Sequence, residues 1–290
     1  MMSLAPASSS PPRSIPVDRI LQLPPFPAVA RQLMAVMAKP NFTIPDVSRL
    51  VRSDAVFAAE VLRLANSAIL GLRYEVVSVL HAISVLGMDR LQGLVLTVAM
   101  RDFIKGARPL GLLRLCWRHN LATALVAEAL AEACSVERSD AYTAALLHDI
   151  GRLALVSAFP GETTALLDCW SREGEEVPRA EEEALGINHR EAAMVLAEKW
   201  GLPSLVREVL RSSAPSPAGP FTVIRLVHIA CGVADRLGFS LGESTLAWDT
   251  EWLAAELPAG AWPRLETKVE GWRETIPMKI NLFECEFMPG

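Results

Sequence analysis

The period of its apolar residues constrains this chain more than any other feature. They recur three and four positions apart in run after run, and a cap, a glycine or a proline interrupts them about every dozen residues. The alternation in twos that a half-buried strand requires is not sustained anywhere. Stripes of this kind are buried by packing helix on helix, so the chain is expected to be all-α, a compact multi-helix bundle.

The punctuation places the helices. Pro24, Pro25 and Pro27 can introduce a helix but not continue one, and the spacing after them predicts a helix over 28–37. Thr43 with Asp46 resembles a capping box ahead of Val47, Leu50 and Val51, and Ser53 or Asp54 offers the next cap. Asn66 and Ser67 are expected to end or kink that helix through local side-chain hydrogen bonds. Gly71 breaks the pattern, another helix runs to Gly87, and 89–104 is long and strongly apolar. Further helices are predicted over 121–133, over 140–156 with Ser139 as cap, from Asn188 with Glu191 to Trp200, over 205–210 and over 223–237. The acidic stretch 173–186 reads as a solvated loop and short helix. No fixed repeat period emerges, which sets a solenoid aside.

These runs divide the chain into a flexible leader over 1–14, an amino-terminal helical bundle over 15–105, a second bundle over 106–238 and a small helical extension over 239–290. The glycines and proline of 106–111 mark the boundary between the bundles. In the extension, Trp248, Trp252, Trp262 and Trp272 are expected to dock by their indoles, on the protein itself or on a partner.

Composition excludes several functions. Hydrophobic residues make up 51% of the chain and charged ones 21%, enough apolar surface for a core and too little charge for disorder. Acids outnumber bases, the net charge is −5 and no basic run is interleaved with aromatics, so no nucleic-acid partner is expected. No uninterrupted apolar run reaches the roughly 18 residues of a spanning helix, and the amino terminus lacks a positive segment followed by an apolar one. Neither a membrane association nor export is expected, which points to the cytoplasm. Cys116, Cys134, Cys169, Cys231 and Cys285 are too dispersed for a disulfide framework or a zinc knuckle and read as small thiols in a reducing compartment.

The sharpest chemical signal is AALLHDIGR, which sets His148 and Asp149 within an apolar run. Burying an imidazole beside a carboxylate costs free energy unless each is paired or metal-bound. A histidine bonded to a carbonyl and an aspartate serving a nearby cap would answer equally well. His81 and His228, each on a mostly apolar helix, read as satisfied core or interface histidines.

The wider context resembles a known family. His119, twenty-nine residues before His148, and the HD pair resemble the HD superfamily of metal-dependent phosphohydrolases, whose ligands run His, then His-Asp, then a distant Asp. His189 is similar to the next histidine of the HD-GYP branch. More specifically, LPPFPAV, VRSDAVFAAEVLRLANSA, HAISVLG, the Trp117 segment, ALLHDIG, EEEALGINHREA, KWGLP and LVHIACGVADRLG occur in order. Together they resemble the HDOD family over roughly 15–238, and ANSA and HAISVLG lie outside the HD core. The resemblance implies an HD-like bundle whose metal-site candidates are His119, His148, Asp149 and His189, able to hold one Zn²⁺ or Fe²⁺ if they converge.

The departures from that pattern bear on mechanism. Arg211, Ser212 and Ser213 stand where HD-GYP enzymes and many HDOD relatives place a His-His pair, and Cys231 stands where the last aspartate ligand is expected. Asp235, one turn further on, is a candidate replacement. Arg152 replaces a lysine of the HD-GYP proteins, and its guanidinium keeps the charge but does not release a proton. Hydrolysis in the two-metal members needs activated water and a second ion. The expectation is therefore a vestigial polar cluster with no catalytic residues and at most one divalent metal. By resemblance the chain is a non-catalytic regulatory module of bacterial signal transduction that contacts other signalling proteins. Two alternatives stay open: a metal-dependent phosphohydrolase acting on a nucleotide or cyclic dinucleotide, and a small-ligand sensor built on the vestigial metal pocket.

Overall fold

The computed structural model of the chain describes residues 14–37, 39, 41–67, 72–105, 110–170, 176–212, 219–242 and 246–284. Residues 1–13, Gly71, most of the 106–111 boundary, Ser213 and Cys285 lie outside them. Helices are the regular secondary structure of the described residues, with no strand among them. The first six helices are α1 (Ser14–Leu21), α2 (Ala28–Met37), α3 (Ile44–Val51), α4 (Ala55–Ala65), α5 (Val79–Leu86) and α6 (Met88–Lys105). The next eight are α7 (Leu110–Ala131), α8 (Arg138–Leu147), α9 (Ile150–Ala158), α10 (Leu167–Trp170), α11 (Glu176–Leu185), α12 (His189–Trp200), α13 (Ser204–Arg211) and α14 (Val223–Ala234). After them come α15 (Thr250–Glu256), α16 (Glu266–Val269) and α17 (Trp272–Glu284).

Local chemistry sets most of these boundaries. Helix α2 starts directly after Pro27, as the prolines require. The Thr43 hydroxyl accepts the Asp46 N–H at 3.4 Å and donates to the Asp46 carboxylate at 2.6 Å, so the acid returns to the hydroxyl of its cap. Asp54 caps α4 by accepting the N–H groups of Val56 and Phe57 at 2.9 and 3.3 Å. Asn66 ends α4 and also holds the following segment: its amide donates to the Leu62 and Val76 carbonyls, both at 2.9 Å, and its oxygen accepts the Val76 N–H at 2.7 Å.

Two helices differ from their sequence signals in ways that matter for function. The helix expected from 121 begins at Leu110 and runs for 22 residues, which puts His119 well inside a long helix. The single helix expected over 140–156 is two. Glu137, not Ser139, caps α8, accepting the N–H groups of Ser139 and Asp140 at 2.6 and 3.1 Å. The run then breaks at His148 and Asp149, where Asp149 leaves the helical region at φ −121°, ψ 31°.

Helix α7 is the axis of the molecule, with α8, α14, α9, α6 and α17 around it, while α12 lies along α9 and α1 rests on both α12 and α9. One hydrophobic core runs from Ile20 to Phe283. Helices α9 and α12 meet backbone to backbone: a Cβ on Gly151 would stand 1.9 Å from the His189 carbonyl oxygen. The extension docks on the protein itself. Trp272 is buried and meets Trp248 edge-on, Arg236 lies 3.7 Å from the centre of the Trp252 ring, and Arg114 and Arg118 grip Glu284 at 3.0 Å. His81 is exposed and stacks on Tyr74, so the expectation of a core position is corrected for that residue. No single described helix is long and apolar enough to cross a membrane; α5 and α6 reach that composition only as a pair bent by 112°.

Candidate functional site

The break between α8 and α9 places His148 and Asp149 near His119, which is buried in the middle of α7. Helix α14 supplies Cys231 and is followed by the turn Asp235–Phe239, where Gly238 leaves the helical region at φ 89° and the Phe239 carbonyl reaches His119.

The polar contacts fix the orientation of both rings. His119 Nδ1 lies 3.0 Å from the Phe239 carbonyl oxygen and 3.5 Å from Asp235 Oδ1. Its Nε2 faces His148 Nε2 at 3.3 Å and Cys231 Sγ at 3.6 Å. His148 Nδ1 lies 2.7 Å from the Ala145 carbonyl oxygen. The ligating atoms of His119, His148 and Cys231 all fall within 4.8 Å of one another, a possible metal-binding cluster. Burial, then the neighbouring His119 ring, pushes the His148 pKa down to about 4, and burial lowers that of His119 as well.

The other two candidate ligands have other partners. Asp149 accepts from Arg152 Nη1 at 3.1 Å, and both side chains are largely buried. Burial alone would raise the Asp149 pKa, but Arg152 first and then His148, His189 and His119 hold its carboxyl below the usual range. His189 is bound by Glu181: one carboxylate oxygen lies 2.6 Å from His189 Nδ1 and accepts the His189 N–H at 2.7 Å. The other oxygen accepts the Trp170 indole N–H at 2.8 Å.

Glu181 is fully buried, which corrects the reading of 173–186 as a solvated stretch. The signal was present: Val177, Glu181 and Leu185 recur every fourth residue and share the buried face of α11. Asp235 stands on the Nδ1 side of His119, away from the Nε2 atom that faces His148 and Cys231. Arg211 is exposed at the end of α13, and the Ser212 hydroxyl donates to the Val209 carbonyl at 2.8 Å. His228, half-buried on α14, has its pKa pushed down to about 4 by burial and then by His148 and Arg190.

Comparison with known proteins agrees with this fold. The family model of the HDOD domain matches residues 23–215. An uncharacterized protein of Treponema pallidum (strain Nichols) is 23% identical over 205 residues, which are 70% of this chain and 40% of that relative. The chain thus spans about two fifths of the length of that curated relative. Among solved structures, an HDOD domain protein of unknown function from Geobacter sulfurreducens superposes with a TM-score of 0.66 at 22% identity, covering 91% of this chain and 97% of that one. A protein from Shewanella amazonensis SB2B named as a candidate phosphohydrolase gives a TM-score of 0.66 at 24% identity, covering 92% and 95%. One from Marinobacter aquaeolei VT8 named as a candidate signal transduction protein gives 0.69 at 23% identity, covering 93% and 64%. At these identities the likeness is one of fold.

Proposed function

The chain belongs to the HDOD family, and on that premise we propose that it is a regulatory module that hydrolyses nothing and acts through contacts with other proteins of a bacterial signalling pathway. The observation that carries this reading is the ion pair between Asp149 and Arg152 at 3.1 Å. An HD hydrolase lends that carboxylate to its metal, whereas here a buried guanidinium holds it. Glu181 holds His189 by its Nδ1 at 2.6 Å, and His189 is not among the ligating atoms that converge in the group of His119, His148 and Cys231. Among the described residues the converging donors are His119, His148 and Cys231, which suffice for one ion, whereas an in-line displacement clamped by two ions needs ligands for a second. The amino-terminal half offers a surface suited to protein contact: Tyr74, Val77 and Leu80 are 57%, 78% and 47% exposed around the exposed His81.

The test is a panel of phosphomonoesters, phosphodiesters and cyclic dinucleotides offered to the full chain with Mn²⁺, Fe²⁺ or Zn²⁺. The reading predicts no turnover above that of His148→Ala under any condition. A metal-dependent rate that disappears in His148→Ala would overturn it.

A further inference from the structure

Three helices bring two imidazoles and a thiol to one point, and the backbone decides which way the imidazoles face. The Phe239 and Ala145 carbonyls that meet the two Nδ1 atoms at 3.0 and 2.7 Å can only accept, so each ring carries its hydrogen on Nδ1. Each Nε2 is then a lone pair. The two lone pairs point at one another across 3.3 Å with no hydrogen between neutral rings, a repulsive arrangement that a cation between them would relieve.

Two of the three ligand-to-ligand distances match those around a zinc ion. A tetrahedral zinc ion, with Zn–N of about 2.05 Å and Zn–S of about 2.3 Å, sets its nitrogen ligands about 3.3 Å apart and nitrogen from sulfur about 3.6 Å apart. The two Nε2 atoms are 3.3 Å apart, and Cys231 Sγ is 3.6 Å from His119 Nε2. Behind the first ligand, the Phe239 carbonyl and the Asp235 carboxylate face His119 Nδ1, the outer-shell arrangement that orients a metal-bound histidine.

We propose that His119, His148 and Cys231 form a mononuclear Zn²⁺ site in which the Cys231 thiolate replaces a carboxylate ligand and Asp149 takes no part. Two imidazoles and a thiolate favour Zn²⁺ over Mg²⁺, Ca²⁺ and Mn²⁺. Three protein donors leave the fourth position to a solvent oxygen. Binding expels the Cys231 thiol proton to the buffer, one proton per ion. The site goes beyond the regulatory reading and does not depend on it: absence of zinc would leave that reading standing, and zinc with turnover would sink it while confirming the site.

The test uses the full chain, stripped of metal by chelator and titrated with Zn²⁺ and with Co²⁺ as a spectroscopic substitute. The expected result is one equivalent bound, with a thiolate-to-cobalt charge-transfer band in the near ultraviolet. Cys231→Ser should lose that band and bind Zn²⁺ at least about tenfold more weakly, while Cys116→Ser keeps both. Because a variant at this cluster can misfold, the wild-type chain gives a second readout: Zn²⁺ should slow alkylation of Cys231, located by peptide mapping, without slowing that of the distant Cys134. No uptake of either ion, cobalt bound without a charge-transfer band, or Cys231 alkylated equally fast with and without zinc would each overturn the site.

Discussion

His148 and His228 are both held neutral, with pKa values pushed down to about 4 chiefly by burial. In the unfolded chain a histidine titrates near 6.5. Between pH 6.5 and 4 the unfolded chain therefore binds protons that the folded one refuses, and stability rises with pH across that window. It is fully present above pH 6.5 and is lost as the pH falls toward 4. Metal-free protein should show a lower urea midpoint at pH 5 than at pH 7. His228→Leu should flatten that dependence; an unchanged slope would mean that His228 is not held neutral in the fold.

At the scale of the element, the decisive contact is that of α9 on α12, where Gly151 admits the His189 carbonyl. Gly151→Ala puts a methyl group 1.9 Å from a backbone oxygen that cannot rotate away, so the helices must separate. Overpacking of this kind costs about 1–3 kcal/mol or more, and chemical denaturation measures it directly. A variant as stable as the wild type would show that the two helices do not meet this closely. Elements fixed by neighbours in sequence were legible from the sequence: α2 after its prolines, and α12 from Asn188, whose side-chain oxygen accepts the Glu191 N–H at 3.0 Å. The break between α8 and α9 was not, because the nearby glycine, Gly151, falls inside α9 rather than at the break and the leucine-rich run reads as continuous. The break exists to serve tertiary contacts, and a periodicity argument does not detect those.

At the scale of the whole molecule, family and fold class were legible because the motifs keep their order along the chain. The site was legible only in part, because its contacts join distant positions. His119 and His148 meet as the resemblance implied, but Cys231 reaches His119 across 112 residues. The grips on Asp149 and His189 follow from side chains, Arg152 and Glu181, whose partners no spacing rule names. A longer separation in sequence joins α17 to α7, where Arg114 holds Glu284 across 170 residues. Removing residues 272–290 would uncover α7 and discard the buried Trp272, Ile276, Ile280 and Phe283. Each fully buried side chain of this size is worth about 1.5–3 kcal/mol, so the shortened chain should melt far below the full one or aggregate. An unchanged melting temperature would make the extension a separate appendage.

The claim that joins these scales is that Asp149 belongs to Arg152 and not to an ion. A double-mutant cycle on folding stability, with Asp149→Asn, Arg152→Met and the pair together, measures that bond. Each single substitution should cost roughly 3–5 kcal/mol, because it strands a buried charge or leaves it badly matched. The pair together should cost less than the sum of the two by about 2 kcal/mol or more. Costs that add to within about 0.5 kcal/mol would show the two groups to be independent, and Asp149 would then be available to a metal after all.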